Sequence, residues 1–158
     1  MADGCQFCLL ISEKNKAVYY EEPDGLFVAM WTSLPVSPGH TLVIPKRHIG
    51  RFRDMNETEM HGIASFVAAV KTKVELANLK HACDGLDVIS EESKRRIEQA
   101  LDILKMQDYH PPVAFNDGIN DGKAAGQEVA HLHWHILPRW EGSDGDIVEL
   151  FTGKPGLL

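Results

Sequence analysis

Three histidines alternate with bulky apolar residues in the segment His131-Leu132-His133-Trp134-His135. In a β-strand, side chains two positions apart share a face and lie about 6.6–6.8 Å apart along it, so the pattern predicts one row of imidazoles. A neutral imidazole can act as a nucleophile, a proton carrier or a metal ligand. The outer two rings, about 13 Å apart, could not both bind one ion at the roughly 2 Å that zinc requires. We therefore expect the three histidines to have different functions.

Three interpretations of this row are open. The histidines could simply form a polar strand face, or neighbours such as His131 and His133 could hold a catalytic metal together with another residue. The third, nucleophilic or acid–base catalysis, is favoured by the segment directly upstream. Residues 120–127 include Gly122 and Gly126, and glycine permits a close backbone approach to a phosphate whose oxygens accept N–H hydrogen bonds. The combination indicates a phosphate-binding loop beside a nucleophilic histidine.

The cysteines indicate metal binding better than they indicate disulfides, because the chain has three of them, an odd number. Cys5 and Cys8 have the Cys-x-x-Cys spacing that is common in tetrahedral zinc sites, although they supply only two of the four ligands. Two uncomplexed thiols are the alternative. Cys83 stands apart from the others and is expected to pack as a small hydrophobic residue without a chemical role.

The composition predicts one globular domain over residues 1–158, because 44% of the residues are hydrophobic and 25% are charged. The net charge of −7 gives no general electrostatic reason to bind nucleic acid or an anionic membrane. No apolar stretch approaches the roughly 18 residues that span a bilayer, and the first residues lack the pattern of a signal peptide. We expect a cytoplasmic protein.

The order of the predicted elements favours the α+β class. Five strands are predicted, at residues 17–20, 26–31, 41–45, 113–115 and 129–138. One helix is predicted to begin at Asn56, which can form a capping box with Glu59, and a second to begin near Ser90. Residues 116–127 are expected to form the glycine-containing loop, and residues 151–156 to be irregular.

These segments resemble the signature of the histidine triad (HIT) family of nucleotide hydrolases and transferases, in its zinc-bearing bacterial type. The matching positions are Asn120, Gly122, residues 125–127, Val129 and residues 131–139, with residues 39–48 and Cys5-Gln6-Phe7-Cys8 further upstream. The resemblance implies a five-stranded antiparallel sheet with a packed helix, in a protein that is usually a homodimer. Residues 82–112 are longer than a compact member needs, so the helix from Ser90 is expected to be an insertion.

The resemblance also implies a reaction. His133 would attack the α-phosphate of a nucleotide, and water would then hydrolyse the covalent nucleotidyl-histidine intermediate. His135 would hydrogen-bond the phosphoryl oxygens, while Asn120 and the backbone of Gly126 and Gln127 would help to hold the phosphate. The implied nucleotide-contacting residues are Phe7, Leu10, Thr32, Asn120, Gly126, Gln127, Glu128, Val129, His133 and His135.

The zinc site is completed, by the same resemblance, with His48 and His131 added to Cys5 and Cys8. A closed set of two cysteines and two histidines is typical of a structural zinc. In this arrangement His133 remains free to react. The other histidines, His40, His61, His81 and His110, have no evident partners in the sequence and are interpreted as structural or surface residues.

Two positions depart from the family pattern. Thr32 stands where an aspartate is common and lacks a carboxylate for the ribose, which leaves the preference for base and sugar less defined. Glu128 stands where a small hydroxyl residue is common, and its charge would favour a cationic leaving group over a polyphosphate if it faces the site.

The sequence thus supports two functional hypotheses. The first is an enzyme that cleaves a nucleoside phosphoramidate, a nucleotidyl conjugate or a dinucleoside polyphosphate. The second is a zinc-stabilised nucleotide-binding or interaction module without significant turnover.

Overall fold

The computed structural model describes residues 4–22 and 25–142. Its helices are α1 (Gln6–Ser12), α2 (Glu57–Leu76), α3 (Leu79–Asp84) and α4 (Glu91–Met106). Its strands are β1 (Val18–Glu21), β2 (Phe27–Trp31), β3 (Thr41–Pro45), β4 (Ala114–Ile119) and β5 (Trp134–Arg139). Short 3-10 turns lie at Phe52–Asp54 and Lys123–Ala125. Residues 151–156, expected to be irregular, lie outside the described part of the chain.

The five strands form one antiparallel sheet in the order β1-β2-β3-β5-β4. This confirms the α+β class and the five-stranded sheet. The central strands β2 and β3 are apolar at almost every position because both faces of the sheet are covered. Phe27, Ala29 and Val43 pack into the core shared with α2, α3 and α4, whereas Val28 and Met30 pack into a second cluster with Phe7 of α1.

Helix α2 begins with the predicted capping box. The side chain of Asn56 accepts a hydrogen bond from the backbone N–H of Glu59 at 2.9 Å, and Glu59 accepts one from the N–H of Asn56 at 2.8 Å. The Glu59 carboxylate is only 2% exposed and also pairs with the Arg47 guanidinium, with an Nη2 to Oε2 distance of 2.6 Å. These bonds compensate for burial of the carboxylate charge. They also join α2 to Arg47, which lies two residues after the end of β3.

Helix α4 confirms the helix predicted from Ser90, whose hydroxyl accepts a hydrogen bond from the N–H of Ser93 at 3.0 Å. Helix α3 is a difference from the prediction, since its six residues are too few to give a helical repeat in the sequence. Cys83 of α3 is 2% exposed, and burial raises the pKa of its thiol to about 11. It packs as the predicted small hydrophobic residue.

Strand β5 begins at Trp134, so the prediction of one extended strand over residues 129–138 is wrong at its start. The N–H of His131 donates to the carbonyl of Val129 at 2.8 Å, a tight turn that an extended strand cannot contain. The N–H of Leu132 then bonds to the carbonyl of Ile49 at 2.6 Å. Of the three histidines only His135 lies within the strand, although the rings of His133 and His135 still lie next to each other, with centroids 4.9 Å apart.

Two further elements differ from the sequence predictions. Strand β4 runs on to Ile119, through residues expected to form a loop, and it pairs with β5 at the edge of the sheet, where polar residues are tolerated. Helix α1 had no predicted counterpart. Among the described residues, no helix combines the length and apolar character that crossing a bilayer requires.

Candidate active site and metal cluster

His133 lies in the bend just before β5, and its ring has a defined orientation. Its Nδ1 atom lies 2.8 Å from the carbonyl oxygen of His131. Because a carbonyl can only accept, Nδ1 carries the proton and the neutral ring has its lone pair on Nε2. His133 is 7% exposed, and burial lowers its pKa, although the carbonyl and the nearby Glu128 act in the opposite direction. Orientation and burial both favour a neutral ring, whose Nε2 lone pair could act as a nucleophile.

His135 contacts a fourth histidine. Its Nδ1 atom lies 3.0 Å from Nε2 of His40, and the N–H of Val36 donates to the other ring nitrogen of His40 at 3.4 Å. His40 in its neutral form therefore carries its proton on Nε2 and donates it to His135. His135 then carries its own proton on Nε2, the atom that can donate to a phosphoryl oxygen.

Burial keeps both members of this pair neutral. It lowers the pKa of His135 to about 3 and the pKa of His40 well below its ordinary value. The sequence offered no evident partner for His40, which was interpreted as a structural or surface residue; the structure supplies the partner, because β3 and β5 are neighbours and bring the two rings together. One feature of the sequence could have indicated a role for His40: it directly precedes a predicted strand, in the segment that resembles the HIT signature.

The loop before the histidines has the glycine conformations that the sequence indicated. Gly122 and Gly126 have φ values of +104° and +89°, which side chains rarely adopt. A Cβ atom on Gly126 would lie 3.6 Å from the amide nitrogen of Asn120, so the glycine brings the backbone close to that side chain. The loop and the Asn120 amide thus form one surface of the site.

Side-chain bonds hold this loop in place. Gln127 accepts a hydrogen bond from the N–H of Gly122 at 2.8 Å and donates one to the carbonyl of Gly50 at 2.9 Å. Arg51 pairs with Asp121 at 2.7 Å. The Gln127 side chain therefore bonds to the backbone and does not line the cleft, while a phosphate contact through its backbone stays a prediction.

The loop and the histidines border an open cleft of about 1190 Å³. It is lined by the remaining residues of the predicted nucleotide-contacting set, Phe7, Leu10, Thr32, Asn120, Gly126, Glu128, Val129, His133 and His135. The ring of Phe7 meets that of His133 edge-on, with centroids 5.2 Å apart. Residues of α3 and α4 also line the cleft, although no pattern in the sequence indicated a functional role for this part of the chain.

Beside this cleft, the four predicted metal ligands come together. The ligand atoms of Cys5, Cys8, His48 and His131 all lie within 4.8 Å of one another. Nδ1 of His131 is 3.4 Å from the Cys5 sulfur and 3.7 Å from the Cys8 sulfur, and Nδ1 of His48 is 3.4 Å from the Cys8 sulfur. A tetrahedral zinc with ordinary bond lengths would place sulfur and nitrogen ligands about 3.5 Å apart. The set fits such an ion.

The second ring nitrogen of His131 supports this fit. His131 is fully buried, and its Nε2 atom donates to the carbonyl oxygen of Pro45 at 2.9 Å. That bond leaves the lone pair on Nδ1, the atom that faces the two sulfurs. A backbone partner of this kind is typical of metal-ligating histidines.

The remaining histidines and Trp134 contribute less to the cleft and the metal cluster. His61, His81 and His110 are exposed, in agreement with the surface interpretation, although His81 lies at the border of the cleft. Trp134 packs against the main core, with its ring centroid 6.2 Å from that of Phe52.

Comparison with known proteins places this site in a family. A family model described as the HIT domain matches residues 12–142. An uncharacterized HIT-like protein of Methanocaldococcus jannaschii is 34% identical over 146 residues, which cover 92% of this chain and 85% of the relative. A protein of Mycobacterium tuberculosis named AP-4-A phosphorylase is 26% identical over 146 residues, which cover 92% of this chain and 53% of that protein.

A similar solved structure carries a metal. It is a Zn-bound histidine triad family protein from Mycobacterium smegmatis, 29% identical, with a TM-score of 0.58 over 91% of this chain and 81% of that one.

Proposed function

We propose that this chain, which belongs to the HIT domain family, is a nucleotide hydrolase or nucleotidyl transferase that attacks an α-phosphate through His133. Members of the family are commonly nucleotide hydrolases or transferases. One observation carries the assignment to His133: its Nδ1 atom is bound to the His131 carbonyl at 2.8 Å, which leaves the Nε2 lone pair for a cleft large enough for a nucleotide.

The neighbouring side chains supply what the attack requires. Nε2 of His133 would bond to phosphorus while the bond to the leaving group breaks, giving a nucleotidyl-histidine that water hydrolyses. His135, neutral and protonated on Nε2, would donate to a phosphoryl oxygen as negative charge concentrates there. The Asn120 amide and the backbone of Gly126 would hold the same phosphate from the loop.

The apolar wall of the cleft would hold the base. Phe7, Leu10 and Val129 cluster with Met30 and Leu42 on the side of α1, and this gives a surface on which a planar base can stack. Thr32 lies beside this wall and would donate a hydrogen bond to the ribose.

Zinc in this proposal is structural. Cys5, Cys8, His48 and His131 would hold it as a closed set of four ligands with no position for substrate. When bound, the ion supplies a cross-link between the segment before β5 and the start of α1.

We further propose a homodimer, since β4 lies at the edge of the sheet and pairs with β5 on one side.

The substrate would be a nucleoside phosphoramidate, a nucleotidyl conjugate or a dinucleoside polyphosphate. The alternative function is a zinc-stabilised nucleotide-binding module without turnover. The alternative retains the cleft and the metal cluster but not the reaction at His133, so trapping the intermediate separates the two.

The decisive experiment is rapid mixing with adenosine 5′-phosphoramidate, acid-free quenching and intact-protein mass spectrometry. Wild type is expected to gain one adenylyl group, whereas His133→Asn, whose amide can still donate to the His131 carbonyl, is expected to gain none. His61→Ala changes an exposed histidine on α2 and should behave as wild type. Nucleotide binding by wild type without adduct or hydrolysis would favour the module, and turnover by His133→Asn would refute the mechanism.

A further inference from the structure

One face of α4 lines the cleft that contains His133 and His135. The lining positions of this helix include Arg95, Arg96, Gln99, Ile103 and Met106. Their separations of three and four residues place them along one side of a helix. The face is polar and basic at its N-terminal end and apolar towards its C-terminal end, so the part nearest residue 95 differs chemically from the wall around Phe7.

A buried hydrogen bond joins the basic end of helix α4 to the segment after β2. The hydroxyl of Ser93, which is fully buried, donates to the carbonyl of Ser33 at 2.6 Å. Ser33 directly follows Thr32, the residue expected near the ribose. Further along, Ala100 and Leu104 are buried in the core shared with α2 and the sheet. The arginines are thus presented by a helix whose position relative to the cleft is fixed.

The two arginines share one counter-charge. Glu92 pairs with Arg95 at 2.6 Å and with Arg96 at 2.5 Å. The trio therefore has a net positive charge. The Arg96 side chain is 30% exposed, half as much as the 61% of Arg95, and its charge contributes to lowering the pKa of His40, the partner of His135.

The two walls of the cleft have different roles if the proposed reaction occurs. The apolar cluster with Phe7 and Leu10 suits the base, and it lies on the other face of the sheet from the core to which α4 belongs. A leaving group departs from phosphorus on the side away from His133. With the nucleoside against the α1 wall, α4 is the basic part of the wall that remains for the leaving group, beside residues 33–36, residues 85–87 and Ile89.

We propose that Arg95 and Arg96 of α4 bind the leaving group and select one that carries phosphate, so that the preferred substrates of His133 are dinucleoside polyphosphates. This inference rests on the proposed function and adds its specificity. Arginine presents a planar fork of donors that matches phosphate oxygens, and the donors that Glu92 does not use remain available.

Other charges around the cleft oppose or balance this preference. Asp102 and Glu128 are exposed acidic residues on its border. Lys16 and Asp87, also on the border, form an ion pair at 2.7 Å, so their charges cancel. The arginines therefore act against an acidic background, and the preference must be measured as a ratio between substrates rather than as one rate.

The test compares two adenosine substrates that share the attacked phosphate. One is the p-nitrophenyl ester of AMP, whose leaving group carries no phosphate, and the other is diadenosine triphosphate, which releases ADP. The variants are Arg96→Gln, Arg95→Gln and the double variant. Lys94→Gln removes a charge of the same sign from an exposed position on α4 that is not among the cleft residues, and serves as the matched control.

The double variant is expected to lower the ratio of kcat/KM for diadenosine triphosphate to kcat/KM for the ester by about fivefold or more at low salt, which is the size of a partly exposed charge interaction. The effect should shrink at higher ionic strength, and Lys94→Gln should leave the ratio unchanged. Using a ratio removes any loss of folded protein from the comparison.

Two failures are distinguishable. If wild type cleaves the ester but the ratio is the same in the double variant, the arginines do not select the leaving group and only this inference is overturned. If wild type forms no adenylyl adduct with either substrate, the proposed function fails as well.

Discussion

The ring nitrogens of His40 and His135 lie 3.0 Å apart across the neighbouring strands β3 and β5. Because the backbone N–H of Val36 donates to the far side of His40, the proton of each neutral ring is assigned to a definite atom. His40 is thus a positioning residue: it hydrogen-bonds His135, and His135 would in turn hydrogen-bond the phosphate. The effect of this contact on catalysis and on stability can be tested separately.

Replacing His40 should impair catalysis without abolishing nucleotide binding. His40→Ala removes the donor that fixes the tautomer of His135, and we expect kcat to fall by about tenfold to a hundredfold, below the loss typical of deleting an oxyanion donor itself. His40→Gln keeps an N–H donor and should recover part of the loss. Nitrogen NMR of the His135 ring should show mixed tautomers in His40→Ala. A single unchanged tautomer with unchanged kcat would contradict the positioning role.

Acid should destabilise the fold from about pH 6.5 downwards because of the buried neutral histidines. The unfolded chain binds a proton on each near pH 6.5, whereas folded His135 binds one only near pH 3. Stability from this residue is therefore complete above pH 6.5 and lost as the pH falls, at about 1.4 kcal/mol per pH unit. Urea unfolding between pH 4.5 and 7.5 measures the slope. His135→Gln should have a shallower slope than wild type, and equal slopes would refute this explanation.

The cluster of Cys5, Cys8, His48 and His131 should bind one zinc ion per chain. Metal analysis of purified protein should give a ratio near one, and the Cys5→Ser/Cys8→Ser double variant should give a ratio near zero. Cys83→Ala, which changes a buried thiol outside the cluster, is the control and should keep its zinc. Zinc at a thousandfold excess over its Kd should add about 4 kcal/mol to the free energy of unfolding. Full zinc occupancy in the double variant would exclude these ligands.

Glu128 should influence which leaving group departs. It lines the cleft, and its charge acts against the lowering of the pKa of His133 that burial causes. Glu128→Ser is expected to shift relative kcat/KM towards dinucleoside polyphosphates and away from lysine-like phosphoramidates. Because the residue is exposed, the shift should amount to about 1 kcal/mol or less and decrease with salt. An unchanged ratio at low and moderate salt would assign Glu128 to the solvated surface.

The features that the sequence predicted well depend on local patterns. The apolar runs of β2 and β3 and the Asn56 cap of α2 each follow from a few adjacent residues. Only the start of the strand predicted over residues 129–138 was wrong, because the backbone there is set by a distant partner: the N–H of Leu132 bonds to Ile49 rather than to a strand neighbour. Alternation of His and apolar residues cannot reveal such a bond.

The site was predicted only in part for the same reason. The metal ligands and the residues of the glycine loop follow from the resemblance to the HIT signature, and the structure brings them together. His40 and Arg96 were missed because their relevance depends on strand order and on the packing of α4. Neither relationship leaves a periodic signal in the chain.

His131 belongs to two sites at once, since its ring faces the cysteines while its carbonyl accepts the proton of the His133 ring. We therefore expect zinc binding and nucleotide binding to be coupled through His131. By thermodynamic reciprocity, the factor by which zinc tightens nucleotide binding equals the factor by which nucleotide tightens zinc binding. With coupling of that sign, excess nucleotide should lower the fraction of zinc that a chelator removes at equilibrium, and the metal content of the protein would depend on the presence of its substrate.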